Sequence, residues 1–270
     1  MNVPPENPLR YSRNMLVEEI GIAGQGKLAA ASVLVVGAGG LGSPALFYLA
    51  AAGVGRLGII DGDRVDTTNL NRQILHPAEN IGLWKTASAT GTLKAFRPDL
   101  AIDPYPEMLT AANACGLFER YDAVIDGTDN FPAKYLCNDA AVVTGTPLVH
   151  AGVLRFGGQL MTVIPRQGPC LRCLLPEMPS LSDTQGSAQV GILGPTAGIF
   201  GAWQAMEVVK LLTGAGKPLC GRLLTLDTLD GSAAILPVQR DHHCPACGDA
   251  PRIAAPLSPG NYLQEGSTTA

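Results

Sequence analysis

The chain has 270 residues, of which 46% are hydrophobic and 16% charged, with a net charge of −4. That length can bury a sizeable core unaided, and that balance excludes disorder for most of the chain. An acidic chain with no run of Lys or Arg also excludes a broad nucleic-acid or anionic-membrane footprint. The start, MNVPPENPLRYSRN, lacks the basic and apolar regions of a targeting signal. The longest apolar stretch, Val190 to Trp203, is broken by Gly, Pro and Thr, whereas a membrane span needs about 20 apolar residues. A cytoplasmic protein with reduced thiols is expected.

In chain order, Ser32 to Gly37 (SVLVVG) predicts a buried parallel strand ending in glycines. Ser43 to Ala52 predicts a helix, and Arg56 to Asp61 (RLGIID) a second strand, which completes a βαβ unit. Further helices are predicted over Trp84 to Phe96 and Phe131 to Gly145, with strands at Ala101 to Tyr105, Tyr121 to Asp126 and Pro147 to His150. This alternation predicts an α/β fold with a Rossmann-like, mainly parallel sheet. The pattern then changes. A strand at Gly157 to Pro165, a long apolar helix at Pro195 to Leu212 and a strand pair at Leu223 to Asp227 and Ala233 to Val238 predict an antiparallel continuation. The stretch from Pro251 to Ala270, ending GSTTA, is expected to be a disordered tail.

Gly37-x-Gly39-Gly40-x-Gly42 stands between a predicted strand and helix, the setting of a nucleotide phosphate loop. Asp61 ends the next strand, where a carboxylate can accept hydrogen bonds from ribose hydroxyls. NAD, FAD and ATP all use such a pair. Arg72, in the segment NLNRQ, and Lys85, in GLWKTAS, add two cations after that strand. Phosphoryl chemistry needs such cations, because they stabilise charge developing on phosphoryl oxygens, and hydride transfer does not. Asp126-Gly-Thr-Asp129-Asn130 follows another strand at the carboxyl edge of the sheet, where a carboxylate could hold Mg²⁺ against phosphates.

The seven cysteines include two CxxC pairs, Cys170/Cys173 and Cys244/Cys247. Four thiolates close a tetrahedral zinc shell with no open position, which makes a structural site. Neither pair stands at a helix N-terminus after a strand, the setting of a redox motif. His242 and His243 adjoin the second pair but have no vacancy to fill. His76 and His150 are expected to be structural, and Cys115, Cys137 and Cys220 to be core or near-surface thiols.

The stretches LRYSRN, VLVVGAGGLGSP, GRLGIIDGDRVDTTNLNRQ, DGTDNFPAKYLCND, PCLRC, QAMEVVK and CPACG together resemble the E1-like ThiF/MoeB/HesA family of adenylyltransferases. The resemblance runs from about Leu9 to Gly248. It is greatest to the molybdopterin-synthase adenylyltransferases, with thiamine-pathway members next. It implies one E1-like domain over residues 1–250, with a Rossmann-like part at about 32–150 and a crossover, zinc and carrier-facing part at about 151–250.

The resemblance also implies the site. Gly37, Gly39, Gly40 and Gly42 would hold ATP and Asp61 its ribose. Asn69, Arg72 and Lys85 would contact the phosphates, with Asp129 on Mg²⁺ and Asn130 beside it. Arg13 matches an arginine that reaches into the active site of the other subunit of a homodimer. The implied reaction is adenylylation of the C-terminal Gly-Gly carboxylate of a ubiquitin-like sulfur carrier, in molybdenum-cofactor or thiamine biosynthesis. Where some relatives carry a crossover-loop cysteine this chain has Ser187, too weak a nucleophile for a covalent carrier step. Sulfur is expected from a separate donor protein. Activation of another carboxylate, as in the tRNA-modifying dehydratases that resemble this family, fits the ATP residues but not the acidic chain. An NAD-dependent oxidoreductase would leave Arg13, Arg72, Lys85 and Asp129 without a shared purpose.

Overall fold

The run SVLVV forms β1 (Ser32–Val36) with every residue buried. No polar alternation is needed there, because β1 lies between two parallel strands with both sheet faces covered. Its neighbours are β2 (Arg56–Ile60), which pairs with β3 (Ala101–Tyr105), and β4 (Ala123–Asp126), which pairs with β5 (Leu148–Leu154). All four of these pairings are parallel. β6 (Gly157–Val163), β7 (Arg222–Asp227) and β8 (Ser232–Pro237) then continue the sheet antiparallel, giving eight strands in the order β3-β2-β1-β4-β5-β6-β7-β8. The computed structural model describes residues 9–180, 190–255 and 257–262.

Among the described residues the helices are α1 (Ser12–Met15), α2 (Gly21–Ala30), α3 (Gly42–Ala52), α4 (Lys85–Phe96), α5 (Ala114–Phe118), α6 (Phe131–Thr144), α7 (Leu171–Leu174) and α8 (Gly194–Thr213). Two apolar layers form because successive strand residues point to opposite faces. Val33, Val35, Leu57, Ile59 and Ile125 pack with Leu46, Leu49, Phe200 and Val208 from α3 and α8. On the other face Leu34, Val36, Ile60 and Val124 pack with Phe118, Tyr135 and Leu136 from α5 and α6. No described helix is long and apolar enough to cross a membrane.

The expected mixed sheet forms, and its strand β5 runs on to Leu154 in a hairpin. Arg155 turns that hairpin at a left-handed φ of 52°. Its N–H donates to the Gly191 carbonyl at 3.1 Å and its carbonyl accepts from the Leu193 N–H at 3.4 Å. The chain is thereby pinned where it enters α8. α1, α2, α5 and α7 carry no clear helical signal in the sequence; α2 contains Gly21, Gly24 and Gly26 and gains its place by packing on α8. Part of the expected disordered tail is ordered. Leu257 and Tyr262 are buried, and the Tyr262 hydroxyl donates to Asp139 Oδ2 at 3.1 Å, which satisfies it inside the protein.

Candidate active site

The parallel strands end at one edge of the sheet, and the loops that follow β1, β2 and β4 meet there. After β1 the Gly37 N–H donates to the Ile60 carbonyl at 2.8 Å, and Gly37 takes a φ of 88°. A Cβ on Gly42 would stand 1.9 Å from the Gly37 carbonyl oxygen, so only glycine lets the loop fold back onto the start of α3. α3 begins without a side-chain cap; its Ser43 N–H donates to the Gly39 carbonyl at 2.9 Å, which ties the loop to the helix start, and Pro44 has no N–H to satisfy.

Asp61 follows β2 directly and is nearly buried. Its carboxylate accepts from the Ala38 N–H and the Asp63 N–H, both at 2.8 Å. Burial pushes the Asp61 carboxyl up, against the opposing pull of Lys85 and these two N–H groups. A carboxylate offers about four lone-pair positions, so acceptor capacity remains for hydroxyl donors. Lys85 opens α4 and is buried, with Nζ 2.8 Å from Asp63 and 3.9 Å from Asp61. The structure thus joins the predicted ribose acid and the predicted phosphate lysine, through an exposed aspartate the sequence analysis passed over.

The NLNRQ segment covers the glycine loop from the side. Asn69 Oδ1 accepts from the Asp66 N–H at 3.3 Å, and Asp66 accepts from the Thr68 N–H at 2.8 Å, which fixes the turn. Arg72 Nη1 donates to the Thr68 carbonyl at 2.9 Å and to Asn71 Oδ1 at 3.0 Å. Its stem lies 3.5 Å from where a Cβ on Gly40 would be, which places it across the loop. Gln73 is buried beside Gly39, and its Oε1 has no hydrogen-bond partner among the described residues.

After β4, Asp129 and Asn130 are exposed at the same edge. Asn130 caps α6 by accepting from the Ala133 N–H at 3.0 Å, and its Nδ2 approaches Asp129 Oδ1 at 3.4 Å. Behind them lies a cluster the sequence analysis missed. Asp126 is fully buried and accepts from His150 Nδ1 at 2.7 Å, Lys134 Nζ at 3.3 Å and the Thr128 N–H at 3.0 Å. Burial works against its ionisation, but Lys134 and His150 hold its carboxyl well below the usual range. Gln204 from α8 donates to the Asp126 carbonyl at 2.7 Å. His150, expected to be structural, thus has a definite partner. Asp126 and His150 are register neighbours on β4 and β5, a relation only the strand pairing reveals.

Arg13 stands apart. Its helix α1 is tied by Asn14 to Gln25, and Gln25 Nε2 donates to the Ala52 carbonyl at 2.9 Å. Ala52 ends α3, whereas the glycine loop lies at its start, roughly 16 Å away at 1.5 Å per residue. Arg13 is exposed. Ser187 lies outside the described residues.

The two cysteine pairs come together. The four Sγ atoms lie within 4.8 Å of one another, with Cys170 to Cys244 at 3.6 Å and Cys173 to Cys247 at 3.3 Å. Ligands at the Zn–S distance in a tetrahedron are roughly 3.8 Å apart, so the set fits a zinc ion. A Cβ on Gly248 would stand 2.4 Å from the Cys244 carbonyl oxygen, so glycine is required for the second knuckle to close. His242 is exposed and turned to Asp249 at 3.0 Å, and His243 is exposed, so neither completes the thiolate set. Cys137 is buried, and Cys115 and Cys220 are half-buried.

The chain resembles the E. coli protein MccB in its complex with MccA-N7isoASN, with a TM-score of 0.79 at 21% identity over 90% of this chain and 75% of that one. That likeness is one of fold. In sequence it is 44% identical over 247 residues to a sulfur carrier protein adenylyltransferase of Thermus thermophilus, covering 90% of this chain and 91% of the relative. It is 45% identical over 246 residues to the adenylyltransferase and sulfurtransferase MOCS3 of Sus scrofa, where it covers 91% of this chain and spans about half of the relative, 54%. The ThiF family model matches residues 11–246. With this match over most of its length, the chain belongs to the ThiF family.

Proposed function

We propose that the chain is an adenylyltransferase that uses ATP to activate the C-terminal Gly-Gly carboxylate of a ubiquitin-like sulfur carrier of the molybdopterin or thiamine type. The observation that carries this is the meeting of the glycine loop, Asp61, Arg72 and Lys85 at one sheet edge. A nucleotide there has an acceptor for its ribose and two cations for its phosphates. The carrier carboxylate attacks the α-phosphorus of ATP, a new P–O bond forms, and the bond to the pyrophosphate oxygen breaks with its electron pair. The products are the acyl-adenylate and pyrophosphate. A carboxylate is already ionised at neutral pH, so no general base is required. Catalysis comes from alignment and from charge stabilisation by Arg72 and Lys85.

Mg²⁺ would be held by Asp129, with Asn130 beside it, and would supply further positive charge against the phosphates. The exposed Asp129 carboxylate suits a hydrated cation, because Mg²⁺ keeps several of its waters. Zn²⁺ on Cys170, Cys173, Cys244 and Cys247 would join the C-terminal segment to the β6–β8 half of the sheet. That half has an open cavity of about 340 Å³ lined by Gly157, Gly158, Leu226 and Ala234 together with the polar Thr225, Asp227 and Ser232, and outside the cavity Ile235 and Leu236 are exposed on β8. An apolar carrier surface suits these last two side chains. Arg13 acts in trans within a homodimer, a role supported by its distance from its own glycine loop. Exposed Leu16, Val17 and Ile22 on and beside α1 and α2 suit a subunit interface. Sulfur then reaches the activated carrier from a separate donor.

The test is ATP–pyrophosphate exchange with each candidate Gly-Gly-ending carrier. Exchange with one carrier, lost when its last Gly is removed, supports the reaction and identifies the pathway. Exchange with none sinks it. Asp129→Ala is expected to abolish exchange, and near-wild-type exchange in that variant would overturn the magnesium assignment.

A further inference from the structure

Ala38, the second residue of the glycine loop, is held at both ends of its backbone. Its N–H donates to Asp61 Oδ2 at 2.8 Å, and its carbonyl lies 2.8 Å from His76 Nε2. Ala38 and His76 are both buried, so water cannot replace either bond. A carbonyl only accepts, so His76 must carry its proton on Nε2. The other ring nitrogen, Nδ1, is then an acceptor and lies 3.0 Å from the buried Ser88 Oγ. Asn80 Nδ2 donates to that same oxygen at 3.0 Å, which leaves the Ser88 hydroxyl proton to point at His76. The chain therefore runs one way, from Asn80 through Ser88 and His76 to the Ala38 carbonyl. The glycine loop is thereby joined to the segment holding His76 and Asn80 and to Ser88 on α4.

We propose that His76 is a positioning residue for the nucleotide loop, its Nε2–H holding the Ala38 carbonyl so that the loop backbone keeps its ligand-ready form before nucleotide arrives. This inference rests on the assignment of the loop to ATP. An unheld Ala38 peptide could rotate. Rotation of the Ala38–Gly39 peptide unit, which carries that carbonyl, would turn the Gly39 N–H with it and change the donors the loop offers a phosphate. Burial pushes the His76 imidazole below its ordinary value, and the nearby Lys85 acts in the same direction. The opposing influences are the bond to Ala38 and the charge of Asp61. The neutral, donor-at-Nε2 state is thus the one kept at neutral pH.

The experiment compares wild type with His76→Ala, His76→Gln and Ser88→Ala. Gln can present an amide N–H close to where Nε2 stands. In carrier-dependent pyrophosphate exchange, His76→Ala should raise the KM for ATP by roughly fivefold, the worth of one hydrogen bond, with kcat changed less. His76→Gln should restore most of the KM, and Ser88→Ala should give an intermediate value. Without nucleotide, amide exchange over residues 37–43 should quicken in His76→Ala and return in His76→Gln, and ¹⁵N spectra should show the Nε2–H tautomer. An unchanged KM and unchanged loop exchange in a folded His76→Ala protein would overturn the proposal. So would the Nδ1–H tautomer. If His76→Ala does not fold, His76→Gln, Ser88→Ala and the tautomer decide the matter. If wild type binds no ATP, the assignment of the loop fails, while loop exchange and tautomer still judge the clamp on their own.

Discussion

Arg172 and Asp139 form a buried bidentate pair that fastens the first cysteine knuckle to α6, with Nε and Nη2 each 2.8 Å from a carboxylate oxygen. Arg172 lies between the two cysteines of its pair, and its guanidinium also stacks over Tyr135, 4.7 Å from the ring centroid. Around it, the Leu171 N–H donates to Asn138 Oδ1 at 2.7 Å, and the single Tyr135 hydroxyl proton is shared between the Leu175 and Glu177 carbonyls, 2.8 and 2.7 Å from the oxygen. α6 starts beside Asp129 and runs to this network. One rigid helix therefore spans from the candidate magnesium ligand to the candidate zinc knuckle.

The first prediction concerns this pair. Arg172→Met leaves the fully buried Asp139 carboxylate with fewer donors and is expected to cost about 3–5 kcal/mol. Asp139→Asn should cost less, because an amide oxygen can still accept from Arg172 and Tyr262. Urea unfolding of the two variants beside wild type checks the order. Equal, small losses in both would show that the pair contributes little.

The second concerns the thiolates. Four thiolates at these distances repel one another strongly unless a cation sits among them. Purified protein is expected to carry one zinc ion per chain, and Cys173→Ser to lose it. Stripping the metal with a chelator should lower the melting temperature by roughly 10 °C, since the ion ties residues around Cys244 to α7. Metal analysis that finds no zinc in wild type would remove the structural role assigned to the four cysteines.

The third is a dependence on pH. His76, facing Asp61 and Lys85, and His150, facing Asp126 and Lys134, are both held below the ordinary imidazole value, in each case chiefly by burial. In the unfolded chain they titrate near ~6.5. Below that pH the unfolded state binds more protons than the folded one. Their contribution to stability is therefore complete above about pH 6.5 and declines as the pH falls below it. The urea midpoint should drop between pH 7 and pH 5.5, and drop less steeply in His76→Gln. A midpoint that rises on acidification through that range contradicts the assignment.

The sheet was legible because its signals are local. SVLVVG and YDAVID are short apolar runs bounded by turn residues, and the glycine spacing marks where the first strand gives way to a helix. The thiolate set was legible because two CxxC pairs have few other uses. The Asp126–His150–Lys134 cluster was hidden, since its members meet only through the pairing of β4 with β5 and the rise of α6 behind them. His76 was hidden in another way. Its partner is the backbone carbonyl of Ala38, and a backbone acceptor leaves no mark on the sequence. Tyr262 escaped notice because a stretch rich in Pro, Ser and Gly resembles a tail, although one buried hydroxyl on Asp139 holds it in place.

The last prediction tests whether Arg13 acts across a subunit boundary. α1 is fixed at the end of α3 remote from the glycine loop, through Asn14, Gln25 and the Ala52 carbonyl. An arginine placed there cannot serve the loop of its own chain without α1 detaching. If it serves the partner's loop, Arg13→Ala and Lys85→Ala damage the same site from different subunits. Each variant alone should lose about 10²–10³-fold in exchange activity. After unfolding and refolding together in equal amounts, half the dimers carry both kinds of subunit. One site in each mixed dimer then carries both substitutions and the other carries neither. Activity should recover to roughly a quarter of wild type, as expected for random pairing in a twofold dimer. Recovery close to that value requires Arg13 to act in trans. If the mixture stays as inactive as its components, Arg13 and Lys85 work within one chain, and α1 must rearrange to bring them together.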